Sequence, residues 1–225
     1  MLIEFKNVSA ERNNCLVLTN LNLTLSERRI GIVGPNGSGK SSLVRLINGL
    51  LSPTRGRVSV DGLDSVREVT AVRRKVGFVF QNPDNQIVFP VVHEDIEFGL
   101  KSREPDASVR AARAQQALER LGVGYLRERS VHTLSGGERQ LVALAAVLAT
   151  EPAMIVFDEP TTQLDLRLRN RFEQLLEALP QSCLVVSHDL TLMQTMDRVL
   201  VIDQGQVAFD SVPPAALAWY QEHCA

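Results

Sequence analysis

The sequence predicts an α/β protein built on a mostly parallel sheet, with an inserted helical segment. Three observations carry this. Short apolar runs recur at Arg29–Val33, Met154–Phe157, Cys183–Val186 and Val199–Ile202, each reading as a buried strand. Helical segments separate the last three, at Leu166–Leu179 and Leu190–Met196. The stretch from about Ile87 to Ala149 is instead rich in good helix formers.

The elements follow in order. Leu2–Val8 and Leu21–Leu25 alternate apolar and polar residues, as half-buried strands do. Arg29–Val33 stops at the turn formers Gly34-Pro35-Asn36-Gly37. Ser38–Leu50 then carries Leu43, Leu46, Ile47 and Leu50 at helical spacing. Arg57–Val60 and Val76–Phe80 read as further strands. The middle holds three helices, His93–Lys101, Val109–Leu121 and Ser135–Ala149. Beyond Val199–Ile202, Gly205 marks a turn into a strand near Val207–Phe209, and Pro213-Pro214 opens a last helix through Trp219. At about 150 residues per domain, 225 residues suit one domain with an insertion. The expected division is a core of 1–86 and 150–225 with a helical subdomain at 87–149, all within one domain of 1–225.

Composition excludes several classes. Apolar residues make up 44% and charged residues 22%, which suits a soluble globular chain. A net charge of −2 and 5% aromatic residues leave no basic field or stacking platform, so no nucleic-acid partner is expected. The longest apolar run, Leu141–Ala149, is too short to span a membrane, and no signal-peptide pattern opens the chain. Cys15, Cys183 and Cys224 fit no metal spacing and suit a reducing cytosol.

Residues 34–41 read Gly-Pro-Asn-Gly-Ser-Gly-Lys-Ser, the pattern G-x-x-x-x-G-K-[ST] between a strand and a helix. Gly34, Pro35, Asn36, Gly37, Ser38 and Gly39 form a loop whose N–H groups turn inward around phosphate oxygens. The following helix adds its N-terminal dipole, with Ser42 in its first turn. Lys40 would reach the β- and γ-phosphates of a nucleotide, and Ser41 would ligate Mg²⁺.

Asp158-Glu159 ends the apolar strand Met154–Phe157, at the sheet edge where ligands collect in parallel α/β folds. Asp158 is placed to hold Mg²⁺, and Glu159 to orient and deprotonate an attacking water. His188, after the next strand, would sense the γ-phosphate, and Asp189 would cap the following helix. Gln81 ends Val76–Phe80, where its amide could touch Mg²⁺ or the water. Leu134-Ser135-Gly136-Gly137-Glu138 opens another helix, a second anion site with uncovered N–H groups. One chain has little use for it, whereas two chains head to tail would each cap the ATP held by the other.

Taken in order, these motifs resemble those of the ATP-binding-cassette (ABC) ATPases over nearly the whole chain. The resemblance makes Gly34–Ser41 a Walker A motif, Gln81 the Q-loop, Leu134–Glu138 the signature, Asp158–Glu159 a Walker B motif and His188 the switch histidine. Thr162–Asp165 is similar to the D-loop, so Asp165 would touch the other subunit. It implies a P-loop NTPase with a RecA-like core of mostly parallel sheet, an N-terminal antiparallel β part and an inserted helical subdomain. It also implies ATP and Mg²⁺ as cofactors, and dimer closure and opening driven by ATP.

Within that family, Gln81–Gly99 is similar to the Q-loop region of energy-coupling-factor importer ATPases, and the lead-in Ser26–Gly31 and the chain length look most like the biotin-transporter branch. This implies a second ATPase copy or related chain, a transmembrane coupling subunit, a substrate-binding membrane subunit, and a place on the cytoplasmic face of the membrane. Two residues depart from the family pattern. Arg12 stands near the position of the usual adenine-stacking aromatic, and a guanidinium plane stacks as well. Glu138 replaces the commoner glutamine, with its carboxylate expected to point away from the anion site. A DNA-repair or chromosome-organising ABC ATPase is disfavoured because no heptads lie between Ser41 and Ser135. A small-molecule kinase would leave Leu134–Glu138 without a task.

Overall fold

The structure, a computed structural model, describes residues 1–162 and 164–224. In chain order its elements are β1 (Ile3–Arg12), β2 (Cys15–Leu25), β3 (Arg29–Val33), α1 (Lys40–Ile47), β4 (Arg55–Val60), β5 (Leu63–Asp64), α2 (Val69–Lys75), β6 (Val76–Val79), α3 (Val92–Leu100), α4 (Ala107–Arg120), α5 (Gly136–Ala149), β7 (Met154–Asp158), α6 (Leu166–Ala178), β8 (Ser182–Val186), α7 (Leu190–Met193), β9 (Arg198–Asp203), β10 (Gln206–Ser211) and α8 (Pro213–Cys224). They fall into two compact units. One holds Met1–Val76, Ala153–Glu159 and the chain from Gln181; the other holds Gly77–Pro152 and Pro160–Pro180.

The first unit contains an antiparallel sheet of order β2-β1-β4-β5. Ile3, Phe5 and Val8 of β1 point into its core, while Lys6 and Asn7 face outward. β1 and β2 run well past the expected strand ends. They meet at Asn13-Asn14, both at positive φ (51° and 61°), the two-residue turn that matches strand twist. Their outer halves alternate polar with apolar residues too weakly to be read as strands from sequence. In the main sheet β10, β9, β3, β8 and β7 lie side by side in that order. β3 pairs in parallel with β9 and β8, and β8 with β7, whereas β10 is antiparallel to β9. β7 is buried throughout, and β3 and β8 nearly so, as expected where both faces are covered.

Register decides what this sheet presents. Ile32 and Asp158 both stand opposite Val186, so β3, β7 and β8 end level with one another. The loops that follow them therefore share one edge. Gly31 lets α7 approach β3, since a Cβ there would meet Met193 Sδ at 2.6 Å.

In the second unit α3, α4 and α5 pack pairwise. α5 is buried along most of its length, from Leu141 through Ala149. This unit starts at Gly77 rather than 87, and it takes in α6, which the expected division gave to the core. Packing explains the difference: a Cβ on Gly137 of α5 would overlap Leu168 of α6, and Arg171 of α6 donates a hydrogen bond to the Leu121 carbonyl. Apolar periodicity marks α6 as a helix but does not say which unit receives it. The short helix α2 was not expected, and α8 runs past Trp219 to Cys224.

Candidate functional site

The loop from Gly34 to Gly39 joins β3 to α1 in the first unit. Three of its glycines hold positive φ: Gly34 at 149°, Gly37 at 79° and Gly39 at 107°. At Gly34 a side chain would also run into the Ile202 carbonyl, and at Gly39 it would come within 2.7 Å of the Val17 carbonyl. The loop is clamped from behind, because Gly205 N–H donates to the Ser38 carbonyl and its own carbonyl accepts from Thr19 N–H. α1 has no side-chain cap and no acidic residue in its first turn, so its N-terminal N–H groups carry undiminished positive potential. The Ser38 hydroxyl is buried and has no hydrogen-bond partner among the described residues. Lys40 is 6% exposed and folds into the loop, donating to the Gly34 carbonyl at 2.7 Å and the Pro35 carbonyl at 2.8 Å. Burial lowers the pKa of its ammonium, while Glu159 and Asp158 oppose that shift.

Asp158, 1% exposed, closes β7. The Ser41 hydroxyl donates to its Oδ1 at 2.8 Å, and Arg45 Nη2 approaches Oδ2 at 3.3 Å. Glu159 follows with φ at 53°, a left-handed conformation that costs a non-glycine residue about 1–2 kcal/mol. Its N–H donates to the Val186 carbonyl at 3.0 Å, which fixes the strained residue to the end of β8. His188 Nε2 lies 3.2 Å from Glu159 Oε1, and the His188 backbone N–H also donates to that carboxylate. Burial pushes the Glu159 carboxyl above its ordinary 4.5, with the Asp158 charge adding to the rise. Burial also lowers the His188 imidazole below its ordinary 6.5, helped by Lys40. Both shifts act against a charged pair at this close approach. Asp189 caps α7 by accepting from Thr191 and Leu192 N–H.

This donor set suits a nucleoside triphosphate with Mg²⁺. A loop of positive-φ glycines at a helix N-terminus, a lysine and an orphaned hydroxyl stand together, and a hydroxyl–carboxylate pair of the kind Mg²⁺ takes is joined to the same helix. Lys40, Ser41, Asp158, Glu159 and His188 thus converge at one edge of the main sheet. Arg12 is in the same unit, exposed at the end of the β1–β2 hairpin opposite Cys15.

The remaining predicted residues belong to the second unit. Gln81 is exposed just after β6. Ser135 caps α5, Gly136, Gly137 and Glu138 form its first turn, and Asp165 caps α6 by accepting from Leu168 N–H. Within Thr162–Asp165, Gln163 lies outside the described residues. Glu138 does not point away from the helix end as expected: its carboxylate turns back onto Ser135, because a helix N-terminus rewards any acceptor that reaches its orphan N–H groups. An open cleft of about 380 Å³ lies between Asp84–Pro90 and Val131–Arg139, with Val88 at its rim 72% exposed.

Sequence reasoning missed Arg45. A signal existed, since Ser41 and Arg45 are four apart on a helix and therefore share a face. It also missed Tyr125, which donates to Glu138 at 3.1 Å. No local pattern ties a tyrosine in a short 3₁₀ turn to a carboxylate on a later helix.

Fold and site together define a P-loop nucleotide-hydrolysing domain. A family model described as ABC transporter matches residues 18–162. An ABC transporter ATP-binding protein of Deinococcus radiodurans, named without a substrate, is 53% identical over 98% of both chains. The biotin transport ATP-binding protein BioM of Rhizobium etli is 45% identical over 99% of both. Among solved structures, CbiO1 of Clostridium perfringens, part of the ABC transporter complex CbiONQ, aligns with a TM-score of 0.82 at 28% identity over 96% of this chain and 90% of that one. The dimeric cassette MJ0796 bound to ADP and Pi aligns at 0.86 and 30% identity, over 94% and 98%. The chain belongs to the ABC transporter family, as an ATP-binding subunit whose ATP hydrolysis is coupled to transport.

Proposed function

We propose that this chain powers the uptake of a small vitamin, biotin, as the ATPase of an energy-coupling-factor importer. The 45% identity to BioM over 99% of both chains carries this reading. The similarity of Gln81–Gly99 to the Q-loop region of such ATPases supports it.

The working unit is a head-to-tail pair, of two copies or of two related chains. The N-terminus of α5, with Ser135, Gly136 and Gly137, caps the ATP seated on the partner's Lys40 loop, and Asp165 touches the partner. A second phosphate-suited helix end in a chain with one phosphate loop supports this, as does the dimeric form of MJ0796. A transmembrane coupling subunit docks at the cleft edged by Asp84, Val88 and Arg139, beside a substrate-binding membrane subunit. Among the described residues no helix is long and apolar enough to cross a membrane. In this reading the membrane partners hold the chain at the cytoplasmic face.

In this scheme the loop N–H groups and Lys40 bind the phosphates, and Arg12 stacks on the base. Ser41 and Asp158 would hold Mg²⁺, which would supply charge neutralisation at the phosphates. Glu159 orients the attacking water and accepts its proton. His188, whose Nε2 lies 3.2 Å from Glu159 Oε1, holds Glu159 in line. Such catalysis is mainly positioning and electrostatics.

The test joins assembly to transport. Membrane proteins that co-purify with the tagged chain are identified, and labelled biotin uptake is measured in cells carrying the wild type or Glu159→Gln. The expected result is co-purified coupling and biotin-binding subunits and uptake abolished by the substitution. Biotin uptake that persists at the wild-type rate would remove the proposed solute, and purification without any membrane protein would remove the importer.

A further inference from the structure

The signature helix end contains a bond that works against its proposed task. Ser135 N–H and Ser135 Oγ–H both donate to Glu138 Oε2 at 2.9 Å, and Ser135 Oγ accepts from Glu138 N–H at 3.2 Å. The hydroxyl has one proton, and it is committed to Glu138. A phosphate oxygen at this helix end needs the same proton, because phosphate there acts as an acceptor. Glu138 also brings a negative charge to a site meant for an anion. Ionised Glu138 therefore competes with phosphate for Ser135.

The other carboxylate oxygen is not idle. Tyr125, 67% exposed in the turn Gly124–Leu126, donates its phenol to Glu138 Oε1 at 3.1 Å. Arg129 lies near enough to stabilise the carboxylate further, and Arg171 and Arg129 both act on the Tyr125 phenol. The two oxygens of a carboxylate share one charge, so a donor bound to one leaves the other a poorer acceptor. Tyr125 thus weakens the grip of Glu138 on the Ser135 proton. It also draws the charge toward the turn.

We propose that Tyr125 is a positioning residue for ATP-driven dimer closure: by binding Glu138 Oε1 it eases release of the Ser135 hydroxyl to the phosphate of the facing ATP. The inference rests on the head-to-tail reading above and deepens it. Tyr125 touches neither nucleotide nor reacting atoms. Its action depends on Glu138, which separates it from a residue that merely holds the turn in shape.

The experiment uses the hydrolysis-deficient Glu159→Gln chain, in which ATP with Mg²⁺ should accumulate the dimer, read by light scattering against ATP concentration. Tyr125→Phe should raise the half-saturating ATP about three- to tenfold, the range of an ordinary net hydrogen bond, as suits an exposed phenol. Glu138→Gln should lower it. With glutamine at 138, Tyr125→Phe should have no further effect. In the chain that keeps Glu159, the Tyr125→Phe effect should fall on half-saturating ATP rather than on turnover at saturation. If Tyr125→Phe shifts the midpoint equally with Glu138 or Gln at 138, or not at all, the positioning role is wrong. If the Glu159→Gln chain stays monomeric at saturating ATP, the head-to-tail reading fails instead.

Discussion

Arg45 Nη2 lies 3.3 Å from Asp158 Oδ2, while Ser41, one helical turn earlier on α1, donates to Oδ1 of the same carboxylate. Asp158 is all but sealed from solvent, so its charge needs a partner inside the protein. Arg45, 28% exposed at its side chain, is that partner. Replacing Arg45 by Met should therefore destabilise the chain by about 1–3 kcal/mol in thermal unfolding, less than a fully buried pair because solvent reaches the guanidinium. An unchanged midpoint would show that Asp158 finds its counter-charge elsewhere.

The raised pKa of Glu159 makes a stability prediction that requires no nucleotide. A carboxyl whose folded pKa exceeds its unfolded one contributes stability at pH below about 4.5, which is lost as pH rises through the folded value. Glu159→Gln removes that loss. The variant should melt close to the wild type below pH 4.5 and progressively above it as pH rises through the folded value. His188 runs the other way: its lowered pKa contributes stability above 6.5 that is lost as pH falls through the folded value. His188→Gln should thus gain on the wild type as pH falls from 6.5, and a constant offset across pH would refute the burial argument for either residue.

Gly34 tests the phosphate loop. Its φ of 149° and the Ile202 carbonyl where a side chain would sit make Gly34→Ala a double violation. Nucleotide binding in a direct titration should fall at least tenfold, with unfolding destabilised by about 1–3 kcal/mol. Gly37→Ala is the control, since its Cβ meets nothing within 4 Å and only the φ of 79° is unfavourable. It should cost less on both measures.

Arg198 predicts a purely structural loss. On β9 it donates to Asp210 of β10 at 2.7 and 2.6 Å, to Glu27 at 3.1 Å and to the Thr24 carbonyl at 2.9 Å. These bonds raise its pKa further, so the charge is permanent. Arg198→Ala should lower stability by about 1–3 kcal/mol, read by chemical denaturation, with nucleotide affinity unchanged. Weakened nucleotide binding would show that the β9–β10 edge acts on the site.

What could be read from sequence depended on whether a group is local. Gly34–Ser41 and Asp158-Glu159 are contiguous, and each follows an apolar strand, so spacing alone placed them at the sheet edge. Ser135 as a helix cap was legible for the same reason. The Arg45–Asp158 contact joins residues 113 positions apart, and nothing near either one names the other. Glu138 shows a different limit. Its direction was in fact written locally, since Ser135 followed three residues later by Glu138 is the capping-box pattern, and the resemblance to a family with glutamine there drew attention away from it. The hairpin turn at Asn13-Asn14 has a local signal, a two-asparagine step suited to positive φ. The allegiance of α6 was not, because helical periodicity says which face is apolar and not whose core it joins.

The backbone twist at Glu159 has an evolutionary side. A glycine would sit there with less strain and make the chain sturdier, yet it would supply no carboxylate. On the role proposed for Glu159, folding and chemistry pull in opposite directions at this position. Selection for stability alone should drift away from glutamate, so screens for hardier variants of this chain should recover glycine or asparagine at residue 159, and each should be a non-hydrolysing chain.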